Sequence, residues 1–400
     1  MSMSTTAPTT PNTATQELRV GVVGLGFAGT THLDAFTALP GARVVALAGQ
    51  ESERLAELAD SRGVEATYAD WQDLVARDDL DIVSIGVPNA LHHPIAVAAL
   101  ESGKHVFCEK PLATTGALAA EMVAAAETAD RVLEVAYNHR RRADVQFLHD
   151  YIAPTGPGRS DALGEIYHGR ASWVRRSGVP GITSWFTNKA AAGGGPMIDL
   201  GSHVLDIALY LMGEPRVTTV SAVAYNHLGA AGRGGGAGGG PVSARGSHAF
   251  DVEDFSIALL RFDTGASLQL EASWASYSKA HEDIDVEVLG SVGGAQLHVD
   301  AYATDGTVTL YSDVEGAPTV SRPAVHVPAG HHQRVIEEFL ATIRAGDAAG
   351  DAVGDAAGTT AGGTGGRYAG HHGEYALHRS RVIDAVYESA ATGHEVQVQA

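Results

Sequence analysis

The sequence predicts an α/β fold: an N-terminal doubly wound parallel sheet, followed by a C-terminal α+β domain with a large open, mainly antiparallel sheet. Between residues 18 and 140, short β-branched runs alternate with helical stretches, which indicates a parallel sheet covered on both faces. A G-x-G-x-x-G turn at 24–29 joins the first strand to the first helix. After an apolar helix at 196–212, strand-like runs follow one another across short turns, which favours antiparallel pairing.

The predicted N-terminal domain, 18–140, is built from regularly alternating patterns. Its strand patterns are LRVGVVG, ARVVALAG, DIVSIGV, HVFCEK and RVLEVAY. Its helical patterns are a stretch from about Ala28, then ESERLAELA, HPIAVAALESG and TGALAAEMVAAAETA. Parallel strands need such crossover helices, so the order of the patterns supports the doubly wound sheet.

The predicted second domain, 141–372, is dominated by strands. Its strand patterns are RVTTVSAVAY, DFSIALLRF, ASLQLEASWAS, DIDVEVLG, GAQLHVDAYA and GTVTLYS. Helices are predicted at 331–345 and about 374–391, and the second of these belongs to a C-terminal helix and tail, 373–400. An open sheet face rarely stays exposed when it is apolar, so self-association is expected.

Three segments lack the composition of a packed structure. The first 17 residues form a predicted disordered tail, and the glycine-rich stretches 229–246 and 346–366 are predicted flexible surface loops away from the chemistry. None of them has enough apolar surface to offset the entropy cost of ordering the chain.

Charge and cysteine content exclude several classes of function. The formal net charge is −20, from 27 basic and 47 acidic residues, and no basic run is present, so neither nucleic acid nor a membrane surface is a predicted partner. No apolar stretch approaches the length of a membrane span, and the N-terminus lacks the charged and apolar regions of a signal peptide. Cys108 is the single cysteine, which suits a reducing compartment and predicts a cytoplasmic protein.

The glycine turn, GLGFAG, predicts a dinucleotide site of the Rossmann type. Gly24 permits the tight turn, Gly26 lets backbone approach a pyrophosphate, and Gly29 allows close packing of helix on strand. Phe27 and Ala28 begin the following helix, whose free N–H groups and dipole favour phosphate. The turn lies between a strand and a helix, as the motif requires.

The choice between NAD and NADP depends on the end of the second strand. An acid there would bind the ribose hydroxyls of NAD, but the position reads Ala-Gly followed by Gln50 and Glu51. Glu51 favours NAD slightly, although an acid in the first turn of a helix also has a structural explanation. Arg54, which could hold a 2′-phosphate, lies one turn further on.

Two further segments carry candidate catalytic groups. Lys110 follows the strand pattern HVFC, and ligands bind beyond the carboxyl ends of parallel strands, so its ammonium group is expected in the cleft. Asp199 and His203 are four residues apart in the apolar helix and therefore share a face. This pair could be structural or could bind a metal, but no further ligand motif accompanies it, and no metal is predicted.

Taken together, these motifs resemble the Gfo/Idh/MocA family of oxidoreductases. The matching segments are GLGFAG followed by His32, GVPNALHHP, GKHVFCEKPLA, GGGPMIDLGSHVLD and RVIDAVYESAATGHEV. They run from about residue 18 to residue 398, and the EKP and D-x-x-x-H segments in this order are specific. The chain departs from the family pattern at the Gly49-Gln50 strand end, in its two glycine-rich stretches and in its N-terminal tail.

The resemblance implies a nicotinamide-dependent enzyme that moves a hydride between a sugar or cyclic polyol and the nicotinamide ring. It implies Lys110, Asp199 and His203 as catalytic groups, and a homodimer or homotetramer. A secondary alcohol needs a base as it is oxidised, and His203 suits that role near neutral pH. Lys110 could stabilise the developing alkoxide, and Asp199 could orient His203 or hold a neighbouring hydroxyl.

Other residues are candidates for the same cleft. Asn89, His92 and Glu109 are expected beside the cofactor, and Lys110 is expected to contact both cofactor and substrate. Four residues are candidate substrate contacts: Asn138, Arg175, Arg176 and Trp185. Aromatic faces and arginines suit a polyol, while two adjacent arginines could instead bind an acidic or phosphorylated substituent. Structural roles in a turn or in the sheet remain open for all four.

Three functional readings remain at this stage. The main one is a sugar or cyclitol dehydrogenase, or a biosynthetic ketoreductase that uses the same residues in reverse. A second is a regulatory protein that binds nucleotide without chemistry, which the presence of Lys110, Asp199 and His203 disfavours. A third is an enzyme that uses nicotinamide transiently, for elimination or hydrolysis, with no net redox change.

Overall fold

The structure is a computed structural model of the 400-residue chain, and it describes residues 17–181, 184–235, 250–278, 281–355 and 366–399. The predicted tail, 1–17, lies outside the described residues apart from Glu17. Most of the two predicted loops, 236–246 and 356–365, lies outside them too.

In the described part of the chain, six parallel strands form the N-terminal sheet, in the order β3-β2-β1-β4-β5-β6. The strands are β1 (Leu18–Val23), β2 (Ala42–Ala48), β3 (Ala66–Tyr68), β4 (Ile82–Ile85), β5 (His105–Cys108) and β6 (Leu133–Val135). This confirms the predicted doubly wound sheet. The strand order reverses between β1 and β4, which opens a crevice at the carboxyl ends of these strands.

Helices cover both faces of this sheet. They are α1 (Phe27–Ala38), α2 (Ser52–Arg62), α3 (Trp71–Val75), α4 (His92–Glu101) and α5 (Gly116–Ala129). The buried strands read as continuous apolar runs because both faces are covered. The short β3 was not among the predicted patterns, since three residues are too few to show a period.

The second domain is built on a sheet of eleven strands within the described residues. The strands are β7 (Pro154–Gly156), β8 (Arg159–Ser160), β9 (Gly164–Arg175), β10 (Val217–Tyr225), β11 (Phe255–Phe262), β12 (Ser267–Ser273), β13 (Glu282–Gly290), β14 (Gly294–Asp300), β15 (Val308–Val314), β16 (Ala317–Ser321) and β17 (Val396–Gln397). Its main path is β16-β15-β14-β13-β9-β12-β11-β10-β17, in which only β9 and β12 pair in parallel. The predicted large, mainly antiparallel sheet is therefore confirmed.

The helices of the second half connect the two sheets. They are α6 (Ala143–Ile152), α7 (Lys189–Ala192), α8 (Ser202–Leu211), α9 (His331–Asp355) and α10 (Glu374–Thr392). A π-helical turn, Met197–Gly201, leads directly into α8. Phe339 of α9 is buried in the core of the N-terminal sheet, so the chain returns to the first domain after the second sheet. None of the described helices is long and apolar enough to cross a membrane.

The structure corrects the expectation for the two glycine-rich stretches where it describes them. Helix α9 continues to Asp355, inside the stretch 346–366, because the alanines there favour helix enough to offset the glycines. The start of the other stretch is bonded to the second domain, since the carbonyl of Gly234 accepts hydrogen bonds from the N–H groups of Gly178 and Val179 at 3.0 and 2.9 Å. Such backbone bonds require no apolar surface, so composition did not reveal them.

Candidate active site

A cleft of about 1200 Å³ lies at the carboxyl ends of the parallel strands, between the N-terminal sheet and the second domain. The glycine turn and the ends of β2, β4 and β5 line one side of it. Residues from β9, the π-helical turn and the start of α9 line the other side. A ligand that fills the cleft would therefore contact both domains.

The glycine turn is packed too tightly for any larger residue at two positions. Gly24 has a φ of +116°, and a Cβ there would lie 2.2 Å from the carbonyl oxygen of Gly86. A Cβ on Gly29 would lie 2.1 Å from the carbonyl oxygen of Gly24, so the start of α1 rests directly on β1. Gly26 faces open space, with nothing within 4 Å of where its Cβ would be. The turn therefore fits a phosphate group at Gly26, beside the free N–H groups of α1.

The other end of the cofactor side carries acidic groups. Gln50 and Glu51, after β2, line the cleft together with Asp70 and Trp71, after β3. The guanidinium of Arg54 is turned to the glycine turn, where its Nε donates to the carbonyl oxygen of Leu25 at 2.7 Å. This end of the cleft therefore offers carboxylates and an aromatic face.

Lys110 and Asp199 form an ion pair across the two domains. The Nζ of Lys110 donates to Oδ1 of Asp199 at 2.9 Å and to its backbone oxygen at 3.0 Å. The indole Nε1 of buried Trp274 donates to Oδ2 of Asp199 at 2.9 Å. Burial alone would raise the pKa of Asp199, but the ammonium group and these hydrogen bonds lower it overall. Each of the two carboxylate oxygens thus accepts a hydrogen bond within the protein.

His203 lies in the same cleft within a cluster of aromatic rings. Its ring centroid is 4.7 Å from that of His139 and 5.6 Å from that of Trp173. Its Nδ1 is buried and makes no hydrogen bond within the described protein. Burial, followed by the positive charge of Lys110, holds the pKa of His203 well below its ordinary value. The imidazole is therefore neutral near pH 7.

Comparison with known proteins assigns the chain to a family. Residues 18–137 match the model of an oxidoreductase family with an NAD-binding Rossmann fold, and residues 159–296 match the GFO/IDH/MocA C-terminal domain. The chain belongs to the Gfo/Idh/MocA family of oxidoreductases. It is therefore an enzyme, an NAD(P)-dependent dehydrogenase or reductase that acts on CH–OH groups.

Several members of the Gfo/Idh/MocA family are similar to this chain over most of their length. D-glucoside 3-dehydrogenase of Escherichia coli is 33% identical over 296 residues, 73% of this chain and 80% of that protein. Levoglucosan dehydrogenase of Pseudarthrobacter phenanthrenivorans is 33% identical over 294 residues, 70% of this chain and 73% of that protein. A solved structure of a levoglucosan dehydrogenase in complex with NADH superposes with a TM-score of 0.74 at 26% identity, covering 96% of this chain and 100% of that one.

In this oxidoreductase, most of the residues predicted for the site line the cleft. They are Gly24, Gly26, Phe27, Ala28, Gln50, Glu51, Asn89, Glu109, Lys110, Asn138, Arg175, Trp185, Asp199 and His203. Gly29 lies under the turn and has the packing role described above. Glu109 is held by His32, whose Nε2 lies 3.2 Å from Oε1 of the carboxylate. The structure shows where these side chains lie, and the part that each plays in the reaction is a proposal.

Two predicted contacts are corrected. His92 is fully buried behind the cleft wall, where its ring nitrogens face the carbonyl oxygens of Pro111 at 2.8 Å and Val87 at 3.0 Å. It supports the two loops on either side of the cofactor cleft and does not line the cleft itself. Arg176 is exposed in the bend that follows β9 and does not line the cleft, whereas its neighbour Arg175 does.

The link expected between Asp199 and His203 is also corrected. Asp199 lies in the π-helical turn, where it binds Lys110 and Trp274, and no hydrogen bond joins it to His203 in the described structure. The four-residue spacing places two side chains on one face only in a regular α-helix. Asp199 lies in a π-helical turn and His203 in the α-helix after it, so the spacing rule does not hold for this pair.

Several residues that line the cleft were not predicted from the sequence. They are Asp70, Trp71, His139, Arg142, Tyr302, His331 and His332. The histidine pair at the start of α9 follows a loop of ordinary composition, and only the return of α9 to the N-terminal sheet brings it to the cleft. His139 could have been noticed, since it follows Asn138 after a predicted strand.

The four histidines of the cleft, His139, His203, His331 and His332, make the folded protein sensitive to acid. Burial is the largest cause that lowers the pKa of each, and the pKa of His331 falls to about 4. Below about pH 6.5 these histidines bind more protons in the unfolded chain than in the folded one. The stability that their neutral forms contribute is therefore fully present above that pH and is lost between about pH 6.5 and 4.

We expect the urea midpoint of unfolding to fall steadily from pH 7 to pH 5. Replacing His331 by glutamine removes one of the groups that bind a proton on unfolding, so the slope of the unfolding free energy against pH should become shallower. A slope identical to that of the unmodified protein would contradict the assignment of His331 to this effect.

Proposed function

We propose that this protein oxidises a secondary hydroxyl of a neutral pyranose-type sugar with NAD, or carries out the reverse reduction. The observation that carries the proposal is the Lys110–Asp199 ion pair, which sets an ammonium group beside the neutral His203 in the cofactor cleft. The similarity to proteins named D-glucoside 3-dehydrogenase and levoglucosan dehydrogenase supports a sugar as the substrate.

The proton chemistry is assigned to Lys110 and His203. The nicotinamide ring, when bound, takes up the hydrogen and the electron pair that the substrate carbon loses. His203 accepts the hydroxyl proton, because its imidazole is neutral and the residue lines the cleft beside Lys110. Lys110 donates a hydrogen bond to the same oxygen and stabilises the negative charge that develops there. Asp199 holds the ammonium group in place, and the reduction uses the same groups in reverse.

The charges of the cleft favour a neutral substrate over an acidic one. Each lysine and arginine that lines the described cleft already has a carboxylate partner. Lys110 pairs with Asp199, Arg142 with Asp144 and Arg175 with Glu282, at 2.9, 2.8 and 2.7 Å. A phosphate or carboxylate on the substrate would therefore meet no cation in the described cleft whose charge is not already balanced. Aromatic faces such as Trp185 suit the apolar face of a sugar ring.

NAD is proposed as the cofactor, in preference to NADP. Glu51 and Asp70 line the end of the cleft where the adenosine ribose is expected, and their carboxylates can accept hydrogen bonds from ribose hydroxyls. A 2′-phosphate would be repelled by both. Arg54, the nearest arginine in sequence, is bonded to the glycine turn at Leu25.

Self-association through the second domain is part of the same proposal. Tyr167, Val223, Tyr225 and Leu259 expose large apolar side chains on strands β9, β10 and β11. A second copy of the chain would cover them, giving a homodimer or homotetramer. A cytoplasmic location is proposed because Cys108, the single cysteine, is a buried free thiol.

The first test is a thermal-shift titration of the purified protein with NAD⁺, NADH, NADP⁺ and NADPH. A ligand that binds the folded state raises the melting temperature by mass action. We expect a clear upward shift with NAD⁺ and NADH and a smaller one with the phosphorylated pair. A larger shift with NADP⁺ and NADPH would contradict the assignment of Glu51 and Asp70.

The substrate is then sought with a panel of pyranosides, free sugars, cyclitols and sugar phosphates, by following NADH absorbance. We expect turnover with neutral pyranosides and little with sugar phosphates. Binding of cofactor without net redox on any member would favour a regulatory protein or a transient use of nicotinamide.

A further inference from the structure

The helix that carries Asp199 and His203 begins at an unusual set of contacts. The first backbone N–H groups of a helix have no partner within the helix itself. Here the N–H groups of Gly195, Met197 and Ile198 are all bound by two side chains from distant parts of the chain, Glu253 and Tyr387. Pro196, between them, has no N–H group to satisfy.

Glu253 places a carboxylate at the positive end of this helix. Its Oε2 accepts from the N–H of Gly195 at 2.9 Å, and its Oε1 accepts from the N–H of Met197 at 3.1 Å. The residue is 8% exposed, so these bonds are shielded from water. A carboxylate at a helix N-terminus is stabilised by the helix dipole as well as by the hydrogen bonds.

Tyr387, from α10, completes the arrangement. Its hydroxyl donates to Oε1 of Glu253 at 2.9 Å and accepts from the N–H of Ile198 at 3.2 Å. The same hydroxyl therefore fixes both the carboxylate and the backbone. This hydroxyl therefore links the C-terminal helix to the π-helical turn.

Two of the three glycines of the GGGP segment, Gly194 and Gly195, are explained by the same two residues. A Cβ on Gly194 would lie 2.0 Å from the hydroxyl oxygen of Tyr387, and a Cβ on Gly195 would lie 2.1 Å from the backbone oxygen of Glu253. Only glycine lets Glu253 and Tyr387 approach this closely. The glycines therefore serve these contacts and not a phosphate site.

The contacts continue directly to the proposed catalytic pair. The N–H of Asp199 donates to the carbonyl oxygen of Gly195 at 3.0 Å, which closes the first bond of the helix. The carbonyl oxygen of Asp199 accepts from Nζ of Lys110 at 3.0 Å, so the ammonium group is held by backbone as well as by the carboxylate. The turn is π-helical, from Met197 to Gly201, and such turns persist only where the surroundings hold them.

We propose that Glu253 and Tyr387 are positioning residues for the reaction: they hold the π-helical turn so that Asp199 meets Lys110. This inference rests on the proposed function, in which Lys110 binds the reacting oxygen. Neither residue lines the cleft, so both act through Asp199 and not on the substrate.

The test compares Tyr387→Phe and Glu253→Gln with the unmodified enzyme, on a substrate found with the sugar panel. Tyr387→Phe removes one oxygen atom, and Glu253→Gln sets an amide N–H against a backbone N–H. We expect roughly a tenfold or greater loss of kcat in each, since small misplacements of catalytic groups are costly. The KM for sugar and the thermal shift with NAD⁺ should change little.

A double-mutant cycle with Asp199→Asn separates positioning from general destabilisation. If Tyr387 acts through Asp199, Tyr387→Phe should cost much less in kcat when Asp199 is already asparagine. The matched control is Tyr375→Phe on the same helix, whose hydroxyl binds Glu134 away from the π turn. We expect that variant to keep the kcat of the unmodified enzyme.

The outcomes are distinct. The positioning role would be overturned if kcat were unchanged in both variants, or if the loss only equalled that of Tyr375→Phe. It would also be overturned if Tyr387→Phe lowered the kcat of Asp199→Asn by the same factor as that of the unmodified enzyme. If Glu253→Gln does not fold, Tyr387→Phe still decides, because it preserves the ring and its packing. Full activity of Lys110→Ala would instead overturn the proposed function itself.

Discussion

Replacing Lys110 by alanine should lower kcat by roughly 10³-fold while the protein still binds NAD⁺. The ammonium group is proposed to stabilise charge on the reacting oxygen, and neither Asp199, which has the opposite charge, nor the neutral His203 can replace it. The glycine turn, which is proposed to bind the cofactor, does not contact Lys110. Initial rates from NADH absorbance and the thermal shift with NAD⁺ measure the two properties separately.

The control for this variant is Lys189→Ala. Lys189 lies at the exposed start of α7 and does not line the cleft. We expect it to retain the activity of the unmodified enzyme. Turnover by Lys110→Ala within a few-fold of that level would remove Lys110 from the mechanism.

Adding a methyl group to the glycine turn should affect the stability of the fold at Gly24 and the binding of NAD⁺ at Gly26. At Gly24 the new Cβ would lie 2.2 Å from the carbonyl oxygen of Gly86, at a φ of +116° that only glycine adopts readily. Backbone atoms cannot move aside, so we expect Gly24→Ala to destabilise the fold by roughly 3 kcal/mol or more.

Gly26→Ala is the matched variant. Gly26 has φ −76° and ψ −170°, which alanine also adopts, and its Cβ would meet open space in the cleft. The fold should therefore keep its urea midpoint, while the methyl group occupies the place expected for the pyrophosphate and abolishes the NAD⁺ thermal shift. Normal NAD⁺ binding by Gly26→Ala would show that the cofactor does not approach the chain there.

The elements that could be predicted from sequence depend on local pattern. The glycine turn, the parallel strands around it and Lys110 at the end of β5 could all be placed before the structure, because each is encoded within a few neighbouring residues. The pair Asp199 and His203 could be found for the same reason. Its geometry could not, because a π turn and an α-helix share the same apolar pattern.

The sequence by itself determined the two kinds of sheet, the glycine turn that is proposed to bind the nucleotide, and the position of Lys110 at the end of a strand. Only the tertiary structure showed that α9 carries His331 and His332 back to the cleft, and that Trp274, Glu253 and Tyr387 hold the turn around Asp199. The physical reason is the separation along the chain of the residues that interact. Strand and turn preferences act between residues close in the chain, whereas Tyr387 and Ile198 are 189 positions apart and meet only when α10 packs on the core of the second sheet.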